Sequence, residues 1–234
     1  MSLEALKSAV LEANLSTVRS GLVTATFGNA SGIDRATGTV AIKPSGVPYE
    51  EMTADQIVAV SLDGAIIDQR LRPSSDLATH LVLYRAFPEI GAVIHTHSTY
   101  ATIFAQSMVP IPPLGTTHAD YFRGAVPLTR HLTNTEIGER YVEATGDAIV
   151  EAVGDRDPME IPAALVAGHG PFTWGRTPAE AALNALMLEE VARMAWCSMM
   201  LRPGIRPIST ELLDRHFLRK HGAAATYGQL GDET

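Results

Sequence analysis

Apolar positions recur near a period of 3.6 from the start of the chain. Leu6, Val10, Leu11, Leu15 and Val18 predict a helix over Leu3 to Ser20, ended by Gly21. Val23 to Phe27 has strand composition and runs into Gly28-Asn29-Ala30-Ser31-Gly32, which reads as a turn. Asp34 to Gly38 carries hairpin-turn residues, with Thr39 to Ile42 as the returning strand. Lys43-Pro44-Ser45-Gly46 breaks the pattern as a loop. Thr53-Ala54-Asp55 can cap a short helical turn before a strand at Ile57 to Leu62, and Asp63-Gly64 then turns the chain.

Pro73-Ser74-Ser75-Asp76 opens a helix reaching about Phe87, just before Pro88. The apolar run Ile90-Gly91-Ala92-Val93-Ile94 predicts a strand ending at His95. A helix over Thr99 to Gln106, a longer one over Asn134 to Val153 and a strand at Ala163 to Ala167 follow. Thr177 fits an N-cap and Pro178 the first position of a helix running to about Met200. Ser209 to His221 is a last helical piece, and the small, polar tail from Gly222 to Thr234 is expected to be loose. No repeat, low-complexity tract or linker divides the chain, so the expectation is one domain over residues 1–234. Early hairpins and the lack of a G-x-G-x-x-G motif point to an α/β protein whose largely antiparallel sheet is covered by helices.

Composition narrows the partners. With 46% hydrophobic and 19% charged residues the chain is an ordinary globular protein, slightly apolar, which suits an oligomer hiding part of its surface. A net charge of −8 disfavours nucleic acid and anionic membranes, so any phosphorylated ligand must be gripped by local donors. The single cysteine, Cys197, excludes an intrachain disulfide and, within apolar Val191 to Met200, reads as a buried core thiol. Met1 to Asn14 mixes charged and apolar residues at helical spacing instead of carrying a leader, and no apolar run reaches membrane length. The expected location is the cytoplasm.

Four sets of residues could carry chemistry. His95 and His97 lie one residue apart at a strand end, where side chains i and i+2 share a face, and His169 follows another apolar run. Three imidazoles so placed suit a catalytic metal that keeps a position open for substrate. Among eight histidines, one His-x-His pair also has a chance background, and ordinary half-buried histidines are the plain alternative. Asp76 could add a carboxylate, although a helix-start acid reads more simply as a cap or first-turn acid; His80, one turn on, is a rival ligand that reads better as a satisfied surface or core histidine. Asn29, Ser45, Gly46, Ser74 and Ser75, with Lys43 nearby, lie in loops or at a helix start and could hold a phosphate, or simply make turns. Thr116-Thr117-His118-Ala119-Asp120-Tyr121 reads as a surface loop in which Asp120 could move a proton. His216, Arg219, Lys220 and His221 read as a solvated helix face, and Tyr227 as an anchor or an acid that docks on a neighbouring subunit.

These stretches, taken in order, resemble the L-ribulose-5-phosphate 4-epimerases of the class II aldolase/epimerase superfamily. The likeness rests on Thr26-Phe27-Gly28-Asn29, Ile42-Lys43-Pro44-Ser45-Gly46-Val47, Pro73-Ser74-Ser75-Asp76, His95-Thr96-His97-Ser98, Gly115 to Phe122, Gly168-His169-Gly170-Pro171-Phe172 and Leu218 to Gly222. The resemblance implies a three-layer α/β/α fold around a mainly antiparallel sheet, and a homotetramer with active sites between subunits. It implies a divalent metal on Asp76, His95, His97 and His169, with zinc first and manganese or cobalt as alternatives. It implies a phosphate pocket from Asn29, Ser45, Gly46, Ser74 and Ser75, with Lys43, Thr116 and His216 near the substrate. Proton transfer falls to Asp120 and to Tyr227, the tyrosine reaching in from a neighbouring subunit.

The implied reaction inverts C4 of L-ribulose 5-phosphate to give D-xylulose 5-phosphate, in pentose catabolism of the arabinose type. Because the C4 hydrogen is not next to the carbonyl, the route is cleavage and re-formation of the C3–C4 bond, through the enediolate of dihydroxyacetone and glycolaldehyde phosphate. The alternatives are an aldolase cleaving a ketose phosphate, an epimerase of a related ketopentose phosphate, and a non-catalytic module like the adducin head. The related fuculose- and rhamnulose-phosphate aldolases place a glutamate where this chain has Asp76, which favours the epimerase; retention of every metal ligand disfavours the adducin-like module. Ala167-Gly168 departs from a more polar pair in some relatives and leaves His169 in place.

Overall fold

The computed structural model describes residues 1–68, 71–222 and 225–226. Helix α1 (Leu3–Arg19) starts where the Ser2 hydroxyl accepts from the Ala5 N–H. Strands β1 (Asn29–Asp34) and β2 (Thr39–Ile42) form the expected hairpin, and β3 (Val58–Ser61) and β4 (Ile66–Asp68) form a second, around the Asp63-Gly64 turn. Helix α2 (Leu77–Ala86) leads to β5 (Ala92–His95) and α3 (Thr99–Gln106). The short α4 (Thr116–Ala119), α5 (Asn134–Glu139) and α6 (Tyr141–Val153) precede β6 (Ala163–Leu165) and β7 (Pro171–Gly175). The long α7 (Pro178–Leu201), capped by the Thr177 hydroxyl, and α8 (Thr210–His221) follow.

Among the described residues, the seven strands join one sheet, ordered β4-β3-β2-β1-β5-β7-β6, with every neighbouring pair antiparallel. Alternation along the strands builds two apolar layers. One face carries Ile33, Val40, Val58, Val93, Phe172 and Trp174 against Leu81 and Tyr84 of α2 and Ile149 and Val153 of α6. The other presents Ala30, Ala92 and Ile94 to Ala13 of α1 and to Ala181 and Ala185 of α7. The layered, mainly antiparallel α/β arrangement is the one expected.

Several local expectations are corrected. The segment 23–27 is not a strand; the strand is β1, through the residues read as a turn. Small Ala30 faces the α1–α7 layer, while Ser31 is buried with its hydroxyl 2.7 Å from both His80 Nδ1 and Tyr84 Oη, so polarity at this position marks satisfied burial, not a loop. Strand β7 escaped notice because both its faces are covered, which erases the period-2 signal. The helix expected over Asn134 to Val153 breaks at Arg140, at φ −150° and ψ 39°. Thr116 to Tyr121 is no surface loop, since His118 and Ala119 are buried, and Cys197 is exposed on an α7 that is apolar on more than its inner face.

The Gly91 N–H donates to the Gly175 carbonyl at 2.8 Å, and a Cβ there would lie 2.0 Å from the Arg176 carbonyl oxygen. Backbone against backbone cannot relax cheaply, so Gly91→Ala should lower the unfolding free energy by about 3 kcal/mol in urea titration; an unchanged midpoint would contradict this close approach. Burial also pushes His80 down to about 3 and His118 to about 4, although the His118 bond to the Gly124 carbonyl opposes the shift. Unfolding lets both take up protons near 6.5, so between about pH 6.5 and 4 the unfolded chain binds more protons. Stability is therefore complete above that range and falls with pH by about 1 kcal/mol per unit for each histidine. Thermal unfolding from pH 7.5 to 4.5 should show His118→Gln falling less steeply than the parent chain; equal slopes would rule out the neutral, buried imidazole.

Candidate active site

His95 ends β5 opposite Phe172 of β7, is 2% exposed, and stacks on that ring at 4.3 Å between centroids. Its Nδ1–H donates to the Pro171 carbonyl at 3.0 Å, which leaves Nε2 with a free lone pair. His97 follows the strand, and its Nε2 lies 3.1 Å from His95 Nε2. His169 sits in the β6–β7 turn, closed by the Val166 N–H to the Gly170 carbonyl, with ring centroids 4.7 Å and 5.0 Å from His95 and His97. One ligating atom from each of the three falls within 4.8 Å of the others. Burial, then the neighbouring His169, holds His95 well below the ordinary imidazole range; burial, then His97, lowers His169. These two imidazoles are thus neutral near pH 7, the form that ligates.

The donor set fits a divalent transition metal. Two nitrogens on a tetrahedral ion at about 2.0–2.1 Å stand about 3.3 Å apart, close to the observed His95–His97 spacing. Asp76 lies at the N-cap position of α2, yet its side chain makes no capping bond. Its Oδ2 accepts instead from Asn29 Nδ2 at 2.6 Å, so the cap reading fails and the carboxylate is held within the site. His80 is not part of the histidine cluster; it is a core residue bonded through Nδ1 to Ser31, while its Nε2 has no hydrogen-bond partner among the described residues.

A cavity of about 360 Å³ adjoins the cradle, lined by all three histidines, Asp76, Asn29, Lys43, Ser45, Gly46, Ser74 and Ser75. Its two loops are clipped together by a bridge between Pro44 and Pro73 and by the Ser74 N–H to the Lys43 carbonyl at 2.9 Å. Lys43 is buried with Nζ 4.7 Å from the Tyr49 ring centre and 3.3 Å from the Val47 carbonyl, and desolvation lowers its pKa. Asn29 Oδ1 is a buried acceptor with no partner among the described residues. Such a cavity can seat an anion and a hydroxylated carbon chain beside the imidazoles.

Thr116, Asp120 and His216 do not line this cavity. The Asp120 carboxylate accepts from His216 Nδ1 at 3.0 Å and from Arg219 Nη2 at 3.2 Å, where α4 meets α8; the expected solvated face of α8 is thus partly an ion-pair cluster. Tyr227 lies outside the described residues. Two site neighbours escaped the sequence reading. Phe27 stacks on His97 at 5.6 Å from within a supposed strand, and Tyr141 puts its hydroxyl 3.4 Å from His169 Nδ1, just after the helix break. No sequence pattern announces either. Among the described residues, no helix is long and apolar enough to cross a membrane.

Residues 8–196 match the family described as Class II Aldolase and Adducin N-terminal domain. Proteins named L-ribulose-5-phosphate 4-epimerase UlaF, from Salmonella paratyphi A (strain ATCC 9150 / SARB42) and from Salmonella typhi, are each 51% identical over 227 residues, covering 97% of this chain and 100% of theirs. Among solved structures, an L-fuculose 1-phosphate aldolase superposes with a TM-score of 0.77 at 24% identity, over 91% of this chain and 94% of that one. The L-fuculose-1-phosphate aldolase of Thermus thermophilus gives 0.68 at 24% identity, over 86% and 98%. These structures share the fold. With its site, its matched segment and relatives half identical over their whole length, the chain belongs to the class II aldolase family.

Proposed function

We propose that the protein interconverts L-ribulose 5-phosphate and D-xylulose 5-phosphate by inverting C4, with a divalent ion, zinc in the first place, held by His95, His97, His169 and Asp76. The observation that carries this reading is the single polar cavity in which three clustered imidazoles meet a phosphate-sized set of loop donors. The substrate follows the names of the half-identical relatives. When bound, the ion supplies Lewis-acid stabilisation of the charge that develops as the C3–C4 bond breaks.

The chain's own residues supply the rest. Ser45, Ser74 and Ser75 offer hydroxyls to the phosphate, and buried Lys43 adds a cation in an otherwise acidic protein. That grip keeps the aldehyde fragment in place while its carbonyl face turns. The unpartnered Asn29 Oδ1 can accept from a substrate hydroxyl. Inversion needs a proton acceptor on one face and a donor on the other, roles that fall to Asp120 and Tyr227. Asp120 with Thr116 and His216 lies away from its own chain's cavity, so these groups serve a neighbouring copy's cavity in a homotetramer of single-domain chains. Exposed Met194, Trp196, Met200 and Leu201 on α7 give such an assembly apolar surface to bury.

Chelator treatment should abolish turnover of L-ribulose 5-phosphate, and added zinc should restore formation of D-xylulose 5-phosphate without free glycolaldehyde phosphate. Steady release of glycolaldehyde phosphate would identify an aldolase, and full activity after stripping would remove the metal from the reaction. Sharing of the site between copies has its own assay. His97→Asn and Asp120→Asn should each lose activity by about 100-fold or more, and dissociating then reassociating a mixture should restore part of it. No recovery in mixed oligomers would place both groups in one chain's site.

A further inference from the structure

The second ring nitrogen of a metal-bound histidine is normally tied to a fixed partner, which sets the tautomer and aims the ring. For His95 that partner is the Pro171 carbonyl. His169 stands in a turn, where the backbone alone fixes its ring less firmly, and its Nδ1 faces the Tyr141 hydroxyl at 3.4 Å with the two rings tilted by 37°. We propose that Tyr141 is a positioning residue for the metal cradle, accepting the Nδ1–H of His169 so that Nε2 is presented to the ion beside His95 and His97. This rests on the metal-site reading above and extends it to a residue outside the ligand set.

Several features build Tyr141 for that task. It is the first residue of α6, just past the break at Arg140, so its side chain is not carried along by the preceding helix. At that break the Arg140 guanidinium pairs with Asp147 of α6. Helix α6 is pinned against α2, the helix that starts at Asp76: the Thr79 hydroxyl donates to the Val142 carbonyl at 2.6 Å. Gly146 permits the close approach, since a Cβ there would stand 2.7 Å from Val82 Cβ. The Thr145 hydroxyl donates to the Tyr141 carbonyl at 2.8 Å. Two paired helices thus deliver Asp76 and Tyr141 from their N-terminal ends, and Asp76 acts electrostatically on both Tyr141 and His169. A tyrosine placed for packing alone would bury its ring, yet Tyr141 remains 43% exposed and turns its hydroxyl to the histidine.

Tyr141→Phe removes the oxygen and keeps the ring. Zinc affinity of the stripped full-length protein, read by competition with a chromophoric chelator, should fall by about 10- to 100-fold. The thermal midpoint of the metal-free variant should match that of the metal-free parent, and the visible spectrum of the cobalt-loaded variant should shift. At saturating zinc, KM should stay unchanged, because the hydroxyl does not grip the substrate. Zinc affinity equal to the parent's, or a loss matched by an equal loss of metal-free stability, would overturn the proposal. A parent protein that takes up no zinc would instead defeat the metal reading beneath it.

Discussion

The antiparallel pairing of β5 with β7 sets where the imidazoles stand. It places His95 opposite Phe172, and the Pro171 carbonyl accepts from both His95 Nδ1 and the Thr96 N–H. The same pairing folds the β6–β7 turn back so that His169 meets His97. His95 is buried, and its Nε2 lies 3.1 Å from that of the more exposed His97, a spacing at which one ion can take both lone pairs. The sheet supplies the rigidity that holds them there: β1, β5 and β7 are central strands, covered on both faces.

The remaining site elements hang on that frame. Strand β1 runs beside β5 with Asn29 opposite His95, which brings its amide to Asp76 across the site. The loops after β2 and before α2 are clipped together at Pro44 and Pro73, so lysine and serine donors face one cavity despite nearly thirty residues between them. A net charge of −8 means that any anion would have to be held by this local geometry. The Asp120–His216–Arg219 cluster stands apart from the cavity that the three histidines and the loop donors line.

Amphipathic and capped elements were legible in the sequence. The α3 bounds, the Thr177-Pro178 start of α7 and the His95 strand end all follow from periodicity and capping chemistry. Periodicity fails where burial is two-sided. In β1, Ser31 is satisfied by His80 and Tyr84, and in β7 no solvent face remains to reveal alternation. It also fails for α7, whose outer apolar face carries Cys197 into solvent, because a pattern of apolar residues does not say what covers them. At the site, the histidines and the loop residues that line the cavity were legible by type and spacing. Phe27 and Tyr141 were not, because their roles depend on a loop and a helix break that bring distant segments together. Asp76 shows the opposite failure: its position suggested a cap, and only the folded chain turns its carboxylate to Asn29.

Under the proposed function, His95, His97 and His169 together hold one ion. Anomalous diffraction at the zinc edge, from crystals of zinc-loaded protein, locates it. One peak per chain should stand within about 2.0–2.1 Å of one nitrogen from each histidine. A zinc peak elsewhere in the chain, with none between these rings, would contradict it.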